Sequence, residues 1–131
     1  MFYSRLSIIT ILLITFVLTY IYYKSNTNNN SIYDIYVEMN KLERLTYEVH
    51  GHVQGVFFRK HTINKAKSLQ LVGYVQNTNS DTVSGIAEGI SNNIKEFGNW
   101  LYTGSPHSKV DKVDEKYDSI DKLTYNEFTQ K

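Results

Sequence analysis

YEVHGHVQGVFFRK, from Tyr47 to Lys60, is the stretch whose reading decides the fold. Leu45, Tyr47 and Val49 alternate with Thr46, Glu48 and His50, the period of a strand with one buried face. Gly51 and Gly55 interrupt that period. Phe58, Thr62, Ala66 and Leu69, with Ile63 alongside, then recur at helical spacing. A strand thus turns through two glycines directly into a helix that Arg59 opens.

Outward from this turn the period keeps changing. Val72 to Gln76 reads as a second strand, and NTNSD, from Asn77 to Asp81, as a hairpin-type loop. A third strand follows, with Val83 and Ala87 inward and Gly85 between them. Ser91 is the expected N-cap of a second helix carrying Ile94, Phe97, Trp100 and Leu101, with Gly104 just past its end. GSPHSKVD, from Gly104 to Asp111, reads as a loop. The acidic run Asp111, Asp114, Glu115 and Asp118 reads as a solvated loop. Leu123, Tyr125 and Phe128 mark an expected closing strand. The order βαββαβ predicts an α+β, ferredoxin-like domain: an antiparallel sheet with two helices on one face.

The N-terminus belongs to a different environment. Leu6 to Tyr23 reads LSIITILLITFVLTYIYY, flanked by Arg5 and Lys24 with no charge inside. As a helix, about 18 residues at about 1.5 Å each span about 27 Å, near the thickness of a thin bilayer core. Tyr20, Tyr22 and Tyr23 suit an interfacial aromatic belt. A secretory signal is the rival reading, although KSNTNNNS offers no small-x-small cleavage pattern. The SNTNNNS run has nothing apolar to pack, and Ile32 to Arg44 is ambiguous, with a short helix through VEMNKLER as one reading. The expected organisation is a transmembrane anchor over residues 1–24, a polar linker over 25–44 and one compact domain over 45–131.

Composition narrows the function classes. The 131-residue chain carries a net charge of +1, with 14 Lys+Arg against 13 Asp+Glu, so it lacks the basic excess of a nucleic-acid binder. With no cysteine, disulfides, thiol nucleophiles and cysteine zinc sites are excluded. The third strand, TVSGIAEG, has neither aromatic nor basic residues, unlike the base-stacking strands of RNA-binding sheets of similar topology. His50 and His52 form an H-x-H with no third ligand evident in the sequence, so no metal site is expected.

The glycine turn itself points to an anion. A helix N-terminus presents unpaired N–H groups and the positive end of a dipole. Gly51 and Gly55 let the preceding loop turn the backbone amides of His52, Val53, Gln54, Gly55, Val56 and Phe57 toward one point. Arg59 in the first helical turn can add a planar, two-pronged grip on phosphate. Taken alone, the turn fits equally a tight strand-to-helix connection with an exposed arginine.

VQGVFFR, GYVQN, TVSGIAEG, FGNWL and GSPHSKVD, in that order, resemble the acylphosphatase family across Leu45 to Phe128. The resemblance implies the ferredoxin-like fold and metal-free, cofactor-free hydrolysis of acyl phosphates to a carboxylate and inorganic phosphate. It implies that Arg59 and the backbone amides of His52 to Phe57 bind the phosphate. Asn77 would orient the attacking water. The sequence departs from the family at His52, where a basic residue is usual, which implies pH-sensitive phosphate affinity. It also departs at Gln70, which replaces a frequent glycine, with strain of about 1 kcal/mol if a left-handed conformation is required.

The expected partners are a small acyl phosphate and, through Leu6 to Tyr23, a membrane, with a monomeric catalytic domain and no nucleic acid. A non-catalytic, membrane-tethered adaptor on the same scaffold is the alternative. Acyl phosphates arise from ATP-using metabolism, so the domain is expected on the cytosolic side. Asn29-Asn30-Ser31 is a glycosylation sequon that would report the opposite orientation. Initiation at Met39 would yield a soluble form containing the whole domain.

Overall fold

The computed structural model describes the backbone of residues 2–27 and 32–131. The sequon at Asn29 to Ser31, and with it most of the asparagine-rich run, lies outside the described residues. The chain divides into two compact units, Met1–Glu38 and Met39–Lys131.

The first unit contains helices α1 (Phe2–Thr27) and α2 (Ile32–Met39). Ser7–Asn26 of α1 has a mean hydropathy of 1.7 and is long and apolar enough to cross a membrane. Hydroxyls within it turn back onto the helix itself, as Thr15 Oγ1 does to the Leu12 carbonyl at 2.9 Å. In α2 the apolar residues Ile32, Tyr33, Ile35, Tyr36, Val37 and Met39 are all exposed. This helix ends at Met39 and does not continue through Arg44, because Leu42 to Arg44 are taken up by the first strand.

The second unit runs β1 (Leu42–His52), α3 (Phe58–Ser68), β2 (Val72–Asn77), β3 (Val83–Ile90), α4 (Ser91–Thr103), β4 (Lys109–Ile120) and β5 (Phe128–Gln130). The sheet order is β4-β1-β3-β2-β5. All pairs are antiparallel except β2 with β5, which is parallel. One face of the sheet packs on α3 and α4. Leu45, Tyr47 and Val49 of β1 stand opposite Ala87, Gly85 and Val83 of β3, so their side chains share that face. Phe58, Thr62 and Ala66 of α3 and Ile94, Phe97 and Leu101 of α4 close the core. Phe97 lies at its centre, with ring centroids 5.6 Å from Tyr47, 6.2 Å from Trp100 and 6.0 Å from Phe128. A ring so placed contributes about 1.5–3 kcal/mol by burial. The Tyr47 hydroxyl donates to the Tyr74 carbonyl at 3.2 Å, and burial pushes its pKa well above the ordinary value.

Three expectations are corrected here. Lys109 to Ile120, read as a loop with a solvated acidic run, is the long edge strand β4, paired along β1. Its charges hide the strand period. Lys112, Asp114, Lys116 and Asp118 stand opposite the outward residues of β1, and of the helix-facing set only Val113 is buried. Such charges on an edge also oppose pairing with other chains. Of the expected closing strand, only Phe128 lies in a strand, while Leu123 and Tyr125 sit in the connection before β5. Ser91 does not cap α4. Ile90 occupies the N-cap with no side-chain bond, and the Ser91 hydroxyl is buried without a partner while its N–H donates to Lys41 O.

The outer face of the sheet holds a polar cluster built around a buried carboxylate. The Glu88 side chain, 0% exposed, accepts from Arg44 Nε at 2.7 Å and from the Thr124 amide and hydroxyl at 2.7 Å each. Arg44 Nη2 lies 2.6 Å from the same carboxylate. Burial alone would raise the carboxyl's pKa. The bonds from Thr124 and Arg44 outweigh it and hold the group below its ordinary value. This cluster pins the β4–β5 connection across the sheet.

Candidate active site

The β1–α3 connection begins with a distortion. Between His50 and Gly51 the β1–β4 register shifts, as in a β-bulge. Gly51 has φ 131°, and a Cβ there would stand 2.1 Å from the Lys109 carbonyl oxygen, so only glycine fits. Gly55 has φ 73° and open space around it, so conformation rather than room selects glycine there. Phe57 follows as the N-cap of α3, itself left-handed at φ 58° and ψ 23°, and no side chain caps the helix. The first amides of α3 therefore lack intrahelical partners and remain available to an anion.

Two side chains hold this loop in place. Gln54 Nε2 donates to the Thr78 carbonyl at 3.0 Å and to the Thr82 carbonyl at 2.9 Å, strapping the loop to the β2–β3 turn. Thr82 Oγ1 contacts Thr78 Oγ1 at 2.6 Å and donates to Glu48 Oε1 at 2.7 Å. From the other side, the buried Ser105 hydroxyl donates to the Val56 carbonyl at 2.9 Å. Asn77 directly precedes Thr78, so the Gln54 strap also sets its distance from the glycine turn.

The result is a cleft of about 260 Å³ lined by Val53, Gly55, Phe57, Phe58, Arg59, Lys60, Asn77 and Gln130. It brings together Arg59 and Asn77, 18 positions apart in the sequence, with Val53, Gly55 and Phe57 of the predicted amide cradle. His52, Gln54 and Val56 are not among its lining. His52 is exposed, opposite Lys109 on β4, and Val56 is buried. Among the described residues Arg59 makes no ion pair and no side-chain hydrogen bond. Asn77 Oδ1 is buried with no partner. A guanidinium with unspent hydrogen bonds beside free helix amides can seat a tetrahedral anion, and the Asn77 side-chain amide lining the same cleft is the group that could orient a water next to it.

Sequence reasoning missed the Gln54 strap and the Ser105 tie. Gln54 was expected only through its backbone, and GSP only as a loop after a helix. The one legible signal was that Ser105 and Gln54 both fall inside the motifs that carry the family resemblance.

A hollow of about 330 Å³ on the outer face is larger, but it lacks any helix start or glycine turn. Glu48, His50 and Asp114 gather beside it with ligand atoms within 4.8 Å of one another, so two carboxylates do stand near His50, contrary to the sequence expectation. His52 is not part of that group. Asp114 is already engaged, its Oδ2 in hydrogen-bond contact with His50 Nε2 at 2.8 Å and its Oδ1 paired with Lys112 Nζ at 3.0 Å. Hydrogen bonds from Lys112 and then His50 hold its carboxyl below the ordinary range.

Comparison with known proteins identifies the fold and the family. The acylphosphatase family model matches residues 45–129. Human acylphosphatase-1 is 45% identical over 93 residues, covering 70% of this chain and 94% of the human protein. Among solved structures, an acylphosphatase from Coxiella burnetii superposes with a TM-score of 0.63 at 33% identity, covering 70% of this chain and 94% of that one. One from Bacillus subtilis gives 0.63 at 30% identity, with 67% and 97% covered. These relatives are scarcely longer than the sheet and its two helices, and the match takes in the glycine turn, Arg59 and Asn77 together. From Leu45 onward, the chain belongs to the acylphosphatase family.

Proposed function

We propose that the chain is an acylphosphatase whose Arg59 and glycine-turn amides bind the substrate phosphate and whose Asn77 orients the attacking water. The observation that carries this reading is the meeting, in one cleft, of Asn77, the glycine turn and an arginine that makes no side-chain bond among the described residues.

The chemistry needs little else. Water attacks phosphorus as the P–O bond to the acyl group breaks, and the bonding pair leaves with the carboxylate oxygen. The water proton passes to a phosphoryl oxygen or to solvent. A carboxylate whose acid has a pKa of roughly 4 departs without a proton donor. Phosphoryl transfer passes through a loose transition state, so positioning and charge stabilisation supply most of the catalysis. The amides, the Arg59 fork and an oriented water together suffice, without metal or cofactor. The test is loss of benzoyl phosphate absorbance on adding the detergent-solubilised full chain. A folded but inert chain would instead favour a non-catalytic adaptor.

The first unit adds a location. We infer that α1 crosses a membrane, supported by its 20-residue apolar span and by side chains exposed along that span. The domain then faces the cytosol, where acyl phosphates are made. A mass shift sensitive to endoglycosidase, from the sequon at Asn29, would overturn that orientation. Initiation at Met39 would release the domain in soluble form, which N-terminal sequencing of the native protein would reveal.

A further inference from the structure

Phosphate accounts for only part of an acyl phosphate. Once it sits on the α3 amides and Arg59, the acyl group lies toward the mouth of the cleft. The apolar lining residues Val53 and Phe58 are each 1% exposed and already spent on the core. Gly55 offers no side chain, and Lys60 and Gln130 are polar. Among the described residues that line the cleft, Phe57 is the one apolar side chain that is exposed, at 70%.

Folding does not explain this ring. The Phe57 carbonyl accepts from the His61 amide at 3.1 Å, and its left-handed backbone starts α3. Glycine would meet both demands without strain. A phenyl group exposed to this degree returns little burial for the conformation it must hold. Strain retained at the rim of a cleft points to use by a ligand.

We propose that Phe57 is a specificity residue that packs against the acyl group, and that the preferred substrates are phosphates of aromatic or broad apolar carboxylic acids. This rests on the reading of the cleft as an acyl phosphate site. The flat, exposed ring offers stacking or edge contact to an aryl group and very little to a methyl group.

The test compares benzoyl phosphate with acetyl phosphate on the full chain in detergent, for the parent and for Phe57→Gly, Phe57→Ala and Phe57→Trp. In the Gly and Ala variants kcat/KM for benzoyl phosphate should fall about five- to tenfold, the equivalent of one aromatic contact. The benzoyl-to-acetyl ratio of kcat/KM should fall by about the same factor, because the backbone amide at position 57 serves both substrates alike, and the Trp variant should keep the benzoyl preference. An unchanged benzoyl-to-acetyl ratio overturns the proposal, as does equal loss on both substrates together with weaker phosphate inhibition. A parent chain that turns over neither substrate and is blind to phosphate removes the acyl phosphate site itself, a result distinct from either.

Discussion

Two arginines of this domain are used in opposite ways. Arg44 is committed within the fold: its guanidinium meets Glu88 and reaches Thr124 Oγ1 at 3.1 Å, and the carboxylate it serves is sealed from solvent. Arg59 opens α3 and meets no protein acceptor among the described residues. A buried carboxylate without its cation is costly, so the first arginine is held by the fold's own electrostatics. The second leaves its donors unspent in a place where the fold gains nothing from them. Partnership, rather than residue type or burial, separates a structural cation from one kept for a ligand.

The strongest way to break this contrast is to remove each arginine in turn. Arg59→Ala should lower kcat/KM on benzoyl phosphate by a hundredfold or more while moving the thermal midpoint by less than about 2 °C. Arg59→Lys should fail almost as badly, since a point charge cannot reproduce the two-pronged grip. Asn77→Ala should cost about a hundredfold with the domain still folded. Ordinary activity in that variant would end the water-orienting role.

Arg44→Ala should show the reverse pattern, with near-parental kcat and stability lower by about 1.5–3 kcal/mol, or roughly 10 °C in the melt. If it lost activity and kept stability, the two arginines would not differ as described. The pH dependence of unfolding sharpens the same point. The pKa of Glu88 is lowered in the folded state, so its contribution is complete above the ordinary glutamate value of about 4.3 and is lost as pH falls through the folded value. Stability should decline with acid below about pH 4.3, and Glu88→Gln should flatten that decline in denaturant titrations. The smallest effect concerns Gln70, whose φ of 55° places a non-glycine residue in the left-handed region after α3. Gln70→Gly should stabilise the domain by up to about 1 kcal/mol and leave turnover alone.

Legibility in the sequence followed periodicity. β1, α3, β2, β3 and α4 each bury a regular set of apolar residues, so their period survives in the sequence. β4 buries only Val113 and carries charge at seven of its 12 positions, so its strand period is masked and its long pairing with β1 is what marks it. Ser91 looked like a cap because residue type was all there was to judge. The backbone instead places Ile90 there and spends the Ser91 amide on Lys41. At the site, Arg59 and Asn77 were legible as chemistry within motifs. The Gln54 strap was not, because its acceptors at Thr78 and Thr82 lie 24 and 28 residues away. His52 was expected at the phosphate and stands outside the cleft lining, because the bulge at Gly51 alters the register of the strand end that carries it.

The short parallel strand β5 has a consequence for solubility. It covers β2 through Phe128 to Gln130, and the Lys131 amide adds a bond to the Val75 carbonyl at 3.0 Å. Without it, VGYVQN would become a bare edge free of charge and proline, the kind of segment that recruits a like strand from another molecule. The opposite edge, β4, is guarded by alternating lysine and aspartate. A chain clipped after Glu127 should therefore scatter light and bind amyloid dyes under conditions where the intact chain stays clear, making the last strand a guard against self-association as well as a part of the core.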